Sequence, residues 1–393
     1  MNFTEVLDKS DLTTLRRHVA DIRPAEVERA LSRSQADFTD FLALISPAAE
    51  GYLESMAQLA HKITLRRFGR VILLYTPLYL SNECTNACVY CGFSVQRTLP
   101  RITLTLDDIL AEANHLKNWG FGHLLLVCGE APKVVPVARL QQVLEILKND
   151  FPSLSLEVYP LSTPAYAQVA ESGADGLTLY QETYSREVYS SVHPTGRKRD
   201  FDWRLSVAER AGEAGFRKLG IGALLGLNDW RYEGIALALH ADFLMKRFWK
   251  TQVAISFPRL RHTPEGFVVP APTNDAALVQ LMLALRIYLH DVGLVLSTRE
   301  PAQFRDRLIP LGITQMSAGS RTEPGGYLHP AAEGSQFLVE DHRSPAEVAE
   351  AIRQAGYEPV WKDWDRLMHG SIHSLKEGYK DADFRQWDAQ GRV

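Results

Sequence analysis

The sequence predicts an α/β protein, a (βα)8 TIM-type barrel with helical extensions at both ends. Three observations predict it. Eight short apolar segments recur along the chain, with amphipathic helical stretches between them. The segments are apolar almost throughout, the pattern of parallel strands buried on both faces. Three of the four cysteines, Cys84, Cys88 and Cys91, follow directly on the first segment, and barrel enzymes carry their chemistry at that end of the strands. An open doubly wound sheet is the competing reading, because counting strands does not show that the sheet closes.

The strand segments are "VILLYTPLYL" from Val71, "HLLLVCGE" from His123, "LSLEVYPL" from Leu154 and "GLTLYQET" from Gly176. They continue with "KLGIGALLGL" from Lys218, "QVAISFPRL" from Gln252, "GLVLSTRE" from Gly293 and "ITQMSAGS" from Ile313. Helix signals separate them. Thr105 and Asp108 form a capping box, each satisfying a free N–H of the first turn, and that helix stops near Gly120. "TPAYAQVAESG" has Thr163 as its cap, Pro164 in the first turn and Gly173 just past its end. Further helical patterns start near Val137, Asp202, Trp230, Asn274 and Pro301.

The flanks are assigned by the same signals. Residues 1–70 read as a helical extension and residues 71–325 as the barrel. Residues 326–393 read as a second extension that closes the barrel, with a helix boxed by Ser344 and Glu347. Neither flank is long enough for a large core of its own.

Composition narrows the function. The 393 residues are 46% hydrophobic and 23% charged, with a net charge of −4 and no long basic run. That is ordinary for a soluble globular protein and argues against nucleic acid as the main partner. Apolar runs such as "VILLY" are far too short to span a bilayer. The N-terminus lacks the apolar core of a signal peptide. A cytoplasmic location is expected, where thiols stay reduced and disulfides do not account for the cysteines.

The cysteine spacing is Cys-x3-Cys-x2-Cys. Three thiolates so spaced can hold three corners of a [4Fe–4S] cubane. The fourth iron then stays open to a substrate, as the open position of a catalytic zinc does. A zinc site is the bland alternative, but it needs a fourth ligand and the chain has no second cysteine pair. Cys128 is a conceivable fourth ligand, although barrel packing accounts for it more simply.

"CTNACVYCGF" resembles the radical S-adenosylmethionine signature, Cys-x3-Cys-x-aromatic-Cys. The resemblance implies that the open iron chelates the methionine amine and carboxylate of S-adenosylmethionine. Reductive C–S cleavage then yields a 5′-deoxyadenosyl radical. It places Tyr90 beside the adenine, and Gly129 and Glu130 of "VCGE" at the methionine amine. Glu182 of "YQET" falls where an acid holds the ribose hydroxyls, and Arg204 of "DWRLS" where an arginine pairs with the methionine carboxylate. A plain turn at "GE" and a surface arginine at 204 are the bland readings.

Seven blocks in order sharpen the resemblance: "LYLSNECTNACVYCGFS", "GFGHLLLVCGE", "LYQETY", "SFPRLR", "LSTRE", "SAGSRTEPGGY" and "PVWKDWD". Over roughly Val71 to Asp365 they resemble the 2-iminoacetate synthases, tyrosine lyases of thiamine thiazole biosynthesis. That implies a lyase cleaving the Cα–Cβ bond of L-tyrosine to 2-iminoacetate and 4-cresol. Its cofactors would be a [4Fe–4S] cluster and S-adenosylmethionine. Its implied partners are thiazole synthase and an electron donor such as flavodoxin or ferredoxin. Arg299 of "STRE" is expected to anchor the substrate carboxylate, with Ser317 as its hydrogen-bonding neighbour. Arg259 and Arg261 are second choices, and a salt bridge between loops is the bland role for each arginine. The related lyase of hydrogenase maturation carries a second cluster on a C-terminal extension with cysteines, whereas no cysteine follows Cys128 here. Two other readings stay open: a sister enzyme acting on tryptophan, or on tyrosine in deazaflavin-precursor synthesis, and a zinc-stapled scaffold protein.

Overall fold

The computed structural model describes residues 2–263, 266–330 and 334–362. Its eight predicted strands are β1 (Val71–Ser81), β2 (His123–Cys128), β3 (Ser153–Glu157), β4 (Gly176–Thr178), β5 (Lys218–Gly222), β6 (Gln252–Ser256), β7 (Gly293–Leu296) and β8 (Gln315–Ser317). All adjacent pairs are parallel, and β1 hydrogen-bonds to both β2 and β8. The sheet therefore closes, and the open-sheet alternative falls.

A ninth strand, β9 (Glu358–Val360), was not foreseen. It pairs with Val71–Leu73 at the start of β1, while β2 joins β1 only from Thr76 onward. It thus fills the lower part of the seam between β1 and β2. The Gly122 N–H donates to the Trp361 carbonyl at 2.8 Å and extends the same seam. Three residues centred on a proline carry no strand period, which is why the sequence hid them. The sheet consequently takes a strand from beyond residue 325. The remainder of the "WKDWD" block, from Asp363 on, lies outside the described residues.

Most helix starts fall where the caps placed them. Thr105 and Ser344 form their capping boxes with Asp108 and Glu347, and Asn274 caps the helix Asp275–Tyr288. Two starts move by one residue. Ser162 rather than Thr163 caps the helix Thr163–Glu171. Asp200 caps Phe201–Leu205, which breaks at Ser206 before Val207–Glu213.

The N-terminal helices share the barrel's hydrophobic core. Phe3, Phe41, Leu44 and Met56 are buried in one cluster with Leu281 and Leu285. Burying a side chain of this size contributes roughly 1.5–3 kcal/mol, so these helices are held by packing rather than by their own propensity. No described helix is long and apolar enough to cross a membrane.

Candidate active site

Cys84, Cys88 and Cys91 leave β1 on a loop at the barrel mouth, and all three line one cavity. The loop's hydrogen bonds fix it against the ends of other strands. Thr85 donates its N–H and its hydroxyl to the Glu130 carbonyl at 3.0 and 2.9 Å. Asn86 Nδ2 donates to the Glu130 carboxylate at 2.8 Å. The Arg101 guanidinium donates to the carbonyls of Asn82, Phe93 and Ser94 at 2.7–2.9 Å. A Cβ on Gly129 would collide with the Glu83 carbonyl oxygen, and one on Gly92 with the Ser335 carbonyl oxygen. Gly129 is therefore required by the approach of the cysteine loop itself.

The thiols fit an iron–sulfur cluster. All four cysteines are free. Burial pushes the Cys88 thiol up to about 12 and raises Cys91 as well, so ligation by soft metal is what would make them thiolates. Among the described residues no three His, Cys, Asp or Glu side chains converge on a single-ion site. A cubane makes no such demand, because each thiolate takes a different iron. Cys128, the last residue of β2, packs against the main core and also lines the cavity of the three cysteines.

The same cavity is lined by Gly129, Glu130, Glu182, Lys198 and Arg204. Glu182 has φ +71°, the only positive φ outside glycine among the described residues. Such backbone strain costs on the order of 1–3 kcal/mol and is tolerated where side-chain placement matters. Glu182 accepts from Lys198 Nζ at 2.7 Å and from Arg204 at 3.4 Å. Burial acts to raise its carboxyl, but Lys198 and Arg204 outweigh this and hold it below the ordinary range. Arg204 is buried and also donates to the Tyr180 carbonyl at 2.7 Å, so it is no surface arginine.

Tyr90 lines the adjoining cavity and shares a 2.8 Å hydrogen bond with His193 Nε2. His193 Nδ1 lies 2.8 Å from the Tyr189 carbonyl, which can only accept. The proton is thus on Nδ1, and Tyr90 is the donor to Nε2. Burial, then Lys198 and Arg204, lower His193 to about 2, so it stays neutral. The sequence reading missed Lys198 and His193. "GRKRD" looks like a solvated basic run, and a lone histidine carries no spacing signal.

Arg299 and Ser317 line a further cavity inside the mouth, walled by Tyr75, Tyr79, Leu125 and Phe337. The Arg299 guanidinium lies 3.4 Å from the centre of the Phe337 ring and has no carboxylate partner among the described residues. Ser317 Oγ accepts from the Thr298 N–H, next to Arg299, at 3.1 Å. Arg259 and Arg261 differ. Arg259 is ion-paired with Glu300, its Nε at 2.8 Å, and with Asp275 at 2.8 Å, while Arg261 reaches Glu300 at 3.4 Å. They tie the loops after β6 and β7 together, which corrects their choice as substrate anchors.

A closed parallel barrel with three thiols at its mouth and an acid–arginine pair beside them defines a class, the radical S-adenosylmethionine enzymes. Residues 78–239 match the Radical SAM superfamily, and residues 256–358 match the Biotin and Thiamin Synthesis associated domain. The chain is 43% identical to the 2-iminoacetate synthase of Escherichia coli over 93% of its own length and 97% of the relative's. It belongs to the 2-iminoacetate synthase family. Its cofactors are accordingly a [4Fe–4S] cluster and S-adenosylmethionine. Among solved structures, the FeFe-hydrogenase maturase HydG from Carboxydothermus hydrogenoformans is 32% identical, with a TM-score of 0.79 over 91% of this chain and 82% of that one. A methylornithine synthase, 21% identical with a TM-score of 0.68, shares the fold.

Proposed function

We propose that this protein cleaves the Cα–Cβ bond of L-tyrosine, giving 2-iminoacetate and 4-cresol for thiazole formation in thiamine biosynthesis. The observation that carries the reading is Arg299. It is a buried guanidinium stacked on Phe337 that makes no ion pair with any described residue, in a cavity that Glu157 also lines and that adjoins that of the cysteines. An amino-acid carboxylate matches that fork.

The bound cofactors supply a 5′-deoxyadenosyl radical by one-electron cleavage of a C–S bond. The chain's residues position and shield. Cys84, Cys88 and Cys91 hold the cluster. Glu130 takes the methionine ammonium, Arg204 the methionine carboxylate and Glu182 the ribose hydroxyls. Gly129 lets the loop close, and Tyr90 flanks the adenine with its hydroxyl tied to His193. Arg299 grips the tyrosine carboxylate and Ser317 steadies the backbone beside it. Tyr75, Tyr79 and Phe337 keep water from the reacting bond.

2-Iminoacetate hydrolyses in water, so direct transfer to thiazole synthase suits the chemistry. A flavodoxin or ferredoxin in the cytoplasm would supply the electron. The deciding experiment is an anaerobic assay with tyrosine, S-adenosylmethionine and a reductant. Cresol and 5′-deoxyadenosine in matching amounts are expected. Deoxyadenosine without cresol would reject tyrosine as the substrate, and tryptophan would then be offered in its place.

A further inference from the structure

Glu157 is the last residue of β3, and no motif points to it. Strand alternation turns Ser155 and Glu157 into the barrel. Three cavities meet at the mouth: that of Arg299 and Ser317, that of Tyr90 and Lys198, and that of the three cysteines. Among the described residues, Glu157 alone lines all three. Its carboxyl makes no hydrogen bond to any described residue.

The tyrosine nitrogen must lie at this junction. Arg299 fixes the carboxylate on one side, and the cofactor cavity opens on the other. An amino acid arrives as its ammonium form, in which the nitrogen lone pair is taken up by a proton. Fragmentation that begins at nitrogen needs the neutral amine. We propose that Glu157 is the general base that takes a proton from the tyrosine ammonium group. The role rests on the tyrosine-cleavage reading. In the step an N–H bond breaks, its electron pair stays on nitrogen, and the proton forms an O–H bond on Glu157. Nothing is oxidised or reduced.

The surroundings suit a base working near neutrality. Burial, with the charge of Glu182 added, pushes the Glu157 carboxyl up to about 7, while Arg299, Arg204 and Lys198 pull it down. Tyr75, Tyr79 and Tyr180 also face it and are themselves raised by burial, so they stay neutral. The acceptor is the ionised form, so turnover should fall as the pH drops below about 7.

The test compares wild type with Glu157→Gln and Glu157→Asp, each reconstituted and checked by cluster absorbance. Cresol formation is followed against pH, and tyrosine affinity by equilibrium dialysis. In Glu157→Gln, kcat should fall about 100-fold or more, tyrosine affinity should stay within a few-fold, and the acid limb of the pH profile should vanish. Glu157→Asp should recover part of kcat with a shifted acid limb. A Gln variant that keeps kcat and the acid limb but binds tyrosine weakly would show that Glu157 only attracts the ammonium, overturning the base role. Should the Gln variant lose its cluster, an acid limb in Glu157→Asp unmoved from wild type overturns the proposal equally. Wild-type enzyme that forms no cresol rejects the substrate reading, and the base role with it.

Discussion

The four arginines weighed as cofactor or substrate anchors, Arg204, Arg259, Arg261 and Arg299, are divided by their surroundings. Arg204 lines the cysteine cavity, held there by the Tyr180 carbonyl and Glu182, while Arg259 and Arg261 are tied to Glu300. Arg299 stacks on Phe337 in the cavity and makes no ion pair with any described residue. Arg299→Ala should therefore leave iron content unchanged and raise the KM for tyrosine about 30-fold, the effect of losing a charge-assisted bond of about 2 kcal/mol. Steady-state cresol assays beside iron analysis check both parts. From sequence these arginines looked alike, because partners such as Glu300 lie about 40 residues away and come into contact only through the barrel. The cysteines and Tyr90 were legible, since their spacing is local. Glu157 and Lys198 were not, because their meaning comes from which cavities they face, nor was His193, whose meaning comes from its bond to Tyr90 about 100 residues away.

The cysteine loop is shaped by contacts with other elements. Its sequence announces three thiols, yet Glu130 and Gly129 after β2 decide where the loop lies. Gly129→Ala forces a methyl against the Glu83 carbonyl oxygen, an overpacking that costs roughly 1–3 kcal/mol. Iron and sulfide per chain should drop clearly below wild type. Cys128→Ala, at the mouth end of β2 beside the cysteine cavity, should keep the full cluster, and its loss there would make Cys128 a ligand. Helix starts were legible from caps because capping is a contact three residues long. β9 was not, since its partner Val71–Leu73 is nearly 290 residues distant.

Across the whole molecule, acid should be felt through buried histidines. Burial lowers His193 to about 2 and His240 to about 3. Both lie below the ordinary value near 6.5, so the unfolded chain binds more protons at acid pH. The stability they carry is complete above about pH 6.5 and declines as pH falls below it, by up to about 2 kcal/mol each at pH 5. Urea unfolding at pH 7 and pH 5 should show the loss, and His240→Gln should lessen it; an unchanged pH dependence would mean that His240 charges freely in the fold. By itself the sequence determined the strand–helix alternation, the caps and the close spacing of three cysteines, because each is written in residues a few positions apart. Tertiary structure alone decided that the sheet closes, that β9 seals the β1–β2 seam, which of these arginines has no ion pair among the described residues and where a carboxylate sits between three cavities. Those facts depend on residues far apart in the chain meeting in space, and local spacing does not encode that.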